Sequence, residues 1–180
     1  MNYYGAKELA ASFRTVRQNT IQVAEDIPED RYGVSPAEGA RSIGHILVHI
    51  ALSPQFQQTF HAGERRSSFE GIDFPALMKR MADQEAQKRT KAEIIELLRA
   101  EGEVWASFVE GVSEDFFAEP FTMPPGATPA SKSRFEMLLS VKEHEMHHRG
   151  QLMAAQRSLG IVPHLTRLRQ EQAAASESST

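Results

Sequence analysis

Two histidines near the end of the chain have the types and spacing needed to bind a metal ion. His144 and His148 lie in the segment 143–152 and are four residues apart. In a helix this spacing puts both rings on one face, within about 20° of the line through the apolar residues Met137 and Ala155. Neutral imidazole is a favoured ligand for Zn, Ni, Fe and Cu. The alternative is a pair of core histidines bonded to their neighbours, and a third ligand would decide between the two.

The other histidines differ in how well they could supply that third ligand. His147 lies roughly 80° from the inward line and belongs to the flank of the helix. In a helix over about residues 40–61, His49 is roughly 120° from the centre of the apolar stripe and His45 about 160°. His49 is therefore the better candidate, and His45 is predicted to be solvated or at an interface. His61 is expected at a frayed helix end, where the helix dipole favours it.

Apolar periodicity predicts the elements that position these residues. Four long amphipathic helices cover about residues 6–26, 40–61, 90–112 and 133–159, and a short helix starts near Asp73. The turn-rich run 123–129 predicts a long loop over 113–131, and no segment shows the alternation of a strand. The fold class is therefore all-α, a four-helix bundle with an extra short helix. The domain is expected to span residues 1–168, and the polar tail 169–180 to be disordered.

Glu101 stands out among the acidic residues because it falls in the middle of an apolar helical stripe. A buried carboxylate needs a partner. Glu101 is thus a candidate for hydrogen bonding a metal-ligating histidine or for general base, and otherwise lies at a wet end of the bundle. Arg149 is predicted to form a salt bridge or a subunit contact, and Gly150 to allow close helix approach.

Composition narrows the class of protein. The 180 residues carry a formal net charge of −4, which gives no electrostatic reason to expect nucleic-acid binding. No apolar run suits a membrane span and no signal peptide is evident, so a soluble cytoplasmic protein is expected. Cysteine is absent. Any metal must therefore be held by histidine, carboxylate or water, and any thiol must arrive on a small molecule.

Two motifs resemble those of a known family. They are His144-x-x-x-His148-Arg149-Gly150-Gln151-Leu152 with the following segment 157–163, and the segment from Pro36 to His49. The chain resembles the DinB family of damage-inducible-type bundles, also described as DinB/YfiT-like metalloenzymes. The resemblance implies an up-down-down-up four-helix bundle, often a homodimer, with one divalent metal ion held by His49, His144 and His148.

The resemblance also suggests a reaction. Relatives include enzymes that use low-molecular-weight thiols, so the first hypothesis is a metal-dependent S-transferase acting on small electrophiles. A metal-dependent hydrolase is the competing enzyme, since a bound ion also activates water. Two non-enzymatic hypotheses remain: a metal-holding stress-response protein without turnover, and a bundle whose histidines are purely structural. Three histidines do not distinguish Zn, Ni and Fe.

Overall fold

Eight α-helices and a short hairpin make up the part of the chain described by the computed structural model, residues 4–63 and 65–177. The helices are α1 (Ala6–Asp26), α2 (Ile43–Leu52), α3 (Pro54–Gln58), α4 (Phe74–Glu85), α5 (Lys91–Glu110), α6 (Glu114–Ala118), α7 (Arg134–Ser158) and α8 (His164–Glu177). Strand β1 (Pro120–Thr122) pairs antiparallel with β2 (Ser131–Ser133). A 3-10 turn covers Glu29–Arg31 and a π-helical turn covers Thr59–Gly63.

The four long helices form the predicted bundle. Helix α1 packs against α5 and α7, and α2 packs against the same two helices, so α1 and α2 lie at opposite corners. The short helix α4 packs on α2. The all-α, four-helix prediction is confirmed. Among the described helices, none has the combination of length and apolar character that crossing a bilayer requires.

Local sequence signals fix where the site-bearing helices begin. Ser133 and Glu136 form a capping box at the start of α7, in which Glu136 Oε2 accepts from the Ser133 amide at 2.7 Å. Helix α2 starts after Ser42, whose hydroxyl accepts from the amide of His45. Pro54 begins α3 and separates it from α2, as its missing amide hydrogen predicts. These boundaries set which residues of α2 and α7 face the interior.

A buried ion pair crosses the centre of the bundle. The guanidinium of Arg17 on α1 meets the carboxylate of Glu145 on α7 at 2.9 Å, with side chains 5% and 1% exposed. It also donates to the carbonyls of Leu98 on α5 at 2.6 Å and Ile50 on α2 at 3.3 Å. Arg17 therefore bonds to the other three bundle helices. Gly102 leaves room for it, since a Cβ there would lie 2.9 Å from Arg17 Cγ.

Two segments differ from the predictions. The predicted loop 113–131 contains α6 and β1, because three-residue strands are too short to show alternation and Ser113 caps α6. Residues 169–177 continue helix α8 where a disordered tail was predicted, and the segment 170–175 is rich in the strong helix formers Gln, Glu and Ala. The rest of the predicted tail, 178–180, lies outside the described residues.

Two single-residue predictions were wrong. His61 is not at a frayed end: it is 2% exposed and bonds to Arg134 and Gln57. The ring of Phe121 on β1 lies 5.1 Å from its ring, a contact that the sequence around His61 does not reveal. Gly150 does not serve close helix approach, because a Cβ there would have no atom within 4 Å. A close approach does occur at Gly102 on α5, where a Cβ would meet the side chain of Arg17 on α1.

Candidate metal centre

Helix α2 presents His49 in its last turn, and Glu85 at the end of α4 holds it in place. Glu85 Oε1 lies 2.7 Å from His49 Nδ1, and Oε2 lies 3.2 Å from His45 Nε2. Burial acts to raise the pKa of Glu85, but the hydrogen bonds with His49 and His45 and nearby positive charge, including that of Arg41, outweigh it and hold the pKa below its usual value. The carboxylate therefore accepts the Nδ1 proton of His49. The lone pair of His49 is left on Nε2, facing away from Glu85.

Helix α7 supplies His144 and His148 from adjacent turns of one face. His144 Nε2 lies 3.0 Å from His49 Nε2. His148 Nδ1 lies 2.9 Å from Gln151 Oε1, which can only accept, so this Nδ1 carries the proton and Nε2 carries the lone pair. One nitrogen from each of the three residues lies within 4.8 Å of the others. We call this group the three-histidine cluster.

The surroundings of the two α7 histidines favour their neutral forms. Burial lowers the pKa of His144 to about 4, and the neighbouring histidines and Arg41 add to the effect. Burial likewise lowers the pKa of His148, with a smaller opposing contribution from Gln151. Neutral imidazole is the form that ligates metals. Three imidazole nitrogens converge from two helices, and outer hydrogen bonds orient the rings of His49 and His148. This arrangement fits the donor set of a divalent-ion site.

The structure thus brings together His49, His144 and His148, the three residues chosen from the sequence. His147 is exposed on the flank, with its Nε2 3.1 Å from the Gln151 amide nitrogen. His45 is exposed and bonds to Glu85, as its position far from the apolar stripe indicated.

The carboxylate at the cluster is Glu85, which the sequence reading missed. Glu101 is half-buried on α5, and within residues 4–63 and 65–177 no hydrogen bond joins it to the cluster. Glu85 ends a short helix, and its sequence position gives no sign that α4 lies against α2.

Two cavities reach the cluster from different sides. The smaller, about 300 Å³, is lined by His49, Ser53, Phe56, Gln57, Met78, Met81, Ser140, Val141 and His144. The larger, about 630 Å³, is lined by Pro36, Ala37, Gly39, Ala40, Arg41, Ile46, His148, Gln151 and Ala154. The smaller cavity is mostly apolar, and the larger one has the cation Arg41 at its wall. One cavity is lined by His49 and His144 and the other by His148, so two molecules could approach different rings of the same cluster.

The comparisons with known proteins agree with this architecture. The DinB-like protein YjoA from Bacillus subtilis is similar in structure, with a TM-score of 0.60 and 22% identity over 85% of this chain and 92% of that one. YfiT from Bacillus subtilis, described as a probable metal-dependent hydrolase with an unusual four-helix bundle topology, has a TM-score of 0.67 and 13% identity over 89% and 91%. No curated protein matches the sequence. The family model of the DinB superfamily matches residues 12–152, and the chain belongs to this superfamily.

Proposed function

We propose that this protein is a divalent-metal-dependent transferase that joins a small-molecule thiol to a small electrophile. His49, His144 and His148 hold the ion. The main support is that the three imidazoles lie close together and that two separate cavities reach them, one lined by His49 and His144 and the other by His148. A divalent ion held by neutral ligands keeps its full charge and an open position, which favours the deprotonated form of a thiol or of water.

The two cavities suit the two partners of a transfer reaction. The smaller, with Phe56, Met78 and Met81 in its wall, fits an apolar electrophile. The larger suits the thiol, because thiols such as glutathione carry carboxylates that Arg41 can attract. In the reaction the thiol loses its proton to solvent, its sulfur forms a bond to the electrophilic carbon, and the displaced group leaves with its electron pair.

A metal-dependent hydrolase is the second candidate. It is favoured by the description of YfiT as a probable metal-dependent hydrolase. Hydrolysis needs a group that takes the proton of the attacking water. Glu85, the carboxylate bonded to the cluster, is already shared between His45 and His49. This engagement is the reason we place the transferase first.

Elemental analysis of purified protein tests the metal site. We expect about one divalent ion per chain in the wild type, and loss of most of it in His49→Ala and His148→Ala. His147→Ala is the matched control, because it removes an exposed histidine from the same helix turn. Unchanged metal content in both ligand variants would refute the site.

Activity assays separate the reactions. The loaded protein is incubated with glutathione, bacillithiol or mycothiol and a model electrophile, and thiol consumption is followed. In parallel, ester and amide hydrolysis is followed without thiol. Thiol consumption that disappears in His148→Ala supports the transferase. Hydrolysis alone replaces it with the hydrolase, and bound metal with neither activity replaces both with a non-catalytic metal-binding role.

The setting of the reaction is part of the proposal. We expect a cytoplasmic homodimer, as the family resemblance and the composition suggested. Sedimentation velocity of the loaded protein measures the oligomeric state, and a single species with the mass of one 20.1 kDa chain would rule out the dimer.

A further inference from the structure

The wall of the smaller cavity contains a side-chain amide whose oxygen is hydrogen-bonded to the protein interior. Gln57 on α3 is 8% exposed and lines this cavity together with His49 and His144. Its Oε1 lies 3.0 Å from His61 Nε2. His61 in turn lies against Arg134, with Arg134 Nη1 2.8 Å from His61 Nδ1. A continuous row of hydrogen bonds therefore runs from the cavity wall into the protein.

The direction of every bond in this row is determined by its inner end. A guanidinium can only donate, so His61 Nδ1 must accept from Arg134. A neutral imidazole with an accepting Nδ1 has its proton on Nε2, which then donates to Gln57 Oε1. Burial lowers the pKa of His61 to about 4, and the charge of Arg134 adds to this, so the ring is neutral under physiological conditions.

The outer end of the row is a hydrogen-bond donor. With Oε1 occupied, Gln57 presents Nε2 and its two protons, and in the described residues this nitrogen bonds to no other group. The two serines of the cavity differ from it. Ser53 donates its hydroxyl proton to the carbonyl of Ile50, and Ser140 donates to the carbonyl of Met137. Both hydroxyls can therefore only accept a hydrogen bond from a ligand, whereas the Gln57 amide can donate one.

We propose that Gln57 Nε2 donates a hydrogen bond to the carbonyl oxygen of the molecule bound in the smaller cavity. The substrate class is small carbonyl compounds with apolar substituents. The donor is uncharged and the lining residues include no Lys or Arg. A carboxylate would lose its hydration there without a cationic side chain to replace it, whereas a carbonyl loses little. The inference rests on the proposed function, which assigns this cavity to the electrophile.

Acetophenone is the probe, since it joins one carbonyl to an apolar ring. Binding is measured with metal-free and zinc-loaded protein, for wild type, Gln57→Met and the control Gln55→Met on the same short helix. One readout is the side-chain amide resonance of Gln57 in ¹⁵N-labelled protein. The other is the infrared carbonyl stretch of bound acetophenone, which moves to lower frequency when the oxygen accepts a hydrogen bond.

In wild type we expect the Gln57 amide protons to shift on binding and the carbonyl stretch to fall. Gln57→Met should abolish the stretch shift and weaken binding roughly three- to tenfold, while Gln55→Met leaves both unchanged. Long-range ¹H–¹⁵N correlation should show His61 protonated on Nε2 and not on Nδ1. Should Gln57→Met fail to fold, the Gln57 resonance in wild type still decides.

Three results would overturn the inference: no acetophenone binding to wild type, bound acetophenone with an unmoved Gln57 resonance, or a carbonyl shift that persists in Gln57→Met. The last would mean that the ion polarises the carbonyl. The metal-free arm separates this failure from that of the proposed function. If the Gln57 resonance shifts in protein that holds no zinc and consumes no thiol, the inference stands and the proposed function fails. If thiol is transferred but the Gln57 resonance does not shift, the proposed function stands and the inference fails.

Discussion

The hydrogen bond between Glu85 and His49 should control the affinity of the cluster for metal. Replacing Glu85 by alanine removes the acceptor 2.7 Å from His49 Nδ1, and replacing it by glutamine keeps an acceptor of the same size without the charge. Without its partner, His49 can rotate and can place its proton on either nitrogen. Metal binding would then have to fix one ring orientation and one tautomer, which costs free energy and lowers the affinity.

The structure sets the size of this effect. The carboxylate is 10% exposed, so its bond to His49 is only partly screened by water. Removal of such an outer partner typically lowers metal affinity 10- to 100-fold, or about 1.4 to 2.7 kcal/mol. We expect Glu85→Ala near the upper end and Glu85→Gln near the lower end. His45→Ala should lower the affinity about fivefold at most, because His45 is exposed and its contact with Glu85 is screened by water.

Zinc affinity is measured by competition with a chromophoric chelator at neutral pH. Asp83→Asn is the matched control, since Asp83 is an exposed acid on the same helix and pairs with Lys79. Wild-type affinity in Glu85→Ala would refute the argument that the carboxylate orients His49. If Asp83→Asn lowers zinc affinity as much as Glu85→Ala does, the negative charge of α4 controls the affinity and the hydrogen bond to His49 does not.

Three further predictions concern stability. Arg17→Met leaves the Glu145 carboxylate buried without its partner and should lower the free energy of unfolding by about 3–5 kcal/mol in urea titrations, whereas a double variant with Glu145→Met should recover much of the loss. A double variant no more stable than the single one would contradict this. Gly102→Ala gains about 1 kcal/mol of helix propensity but forces Arg17 aside at a cost of about 1–3 kcal/mol, so a net loss of up to about 2 kcal/mol is expected in thermal unfolding; a raised melting temperature would show that Arg17 moves freely. The folded pKa of His61, about 4, is below its ordinary value of 6.5, so the unfolded chain binds the proton more tightly. The stability contributed by neutral His61 is present above pH ~6.5 and is lost as the pH falls towards 4, amounting to about 2 kcal/mol between pH 7 and pH 5. Denaturant titrations at both pH values should show a smaller pH dependence in His61→Gln, and equal dependence would contradict the assignment.

The sequence predicted the residues of the cluster because each lies on a long helix with a clear period. For His144 and His148 the angular positions around a single helix were enough, since both lie on the same face of α7. Choosing His49 also required its angular position on a second helix and the resemblance of its segment to a family motif. The bundle followed from the same periodicity.

What the sequence did not predict depends on contacts between distant segments. Glu85 reaches His49 only because the connection after α3 brings α4 against α2. His61 looked like a helix-end residue, and its partner Arg134 is 73 positions away. Arg17 lies between Val16 and Gln18 on α1, and its central role depends on a carboxylate 128 positions further along. Such pairings carry no local pattern.

The Arg17–Glu145 pair has a consequence for how the bundle comes apart. Its groups are satisfied by acceptors on three different helices, so none is dispensable. If one helix leaves while the others stay docked, a desolvated charge or donor remains without a partner, which costs several kcal/mol. Three-helix intermediates are therefore penalised, and we expect the bundle to open cooperatively. We therefore expect the histidines on α2 and α7 to separate together with the unfolding of the bundle.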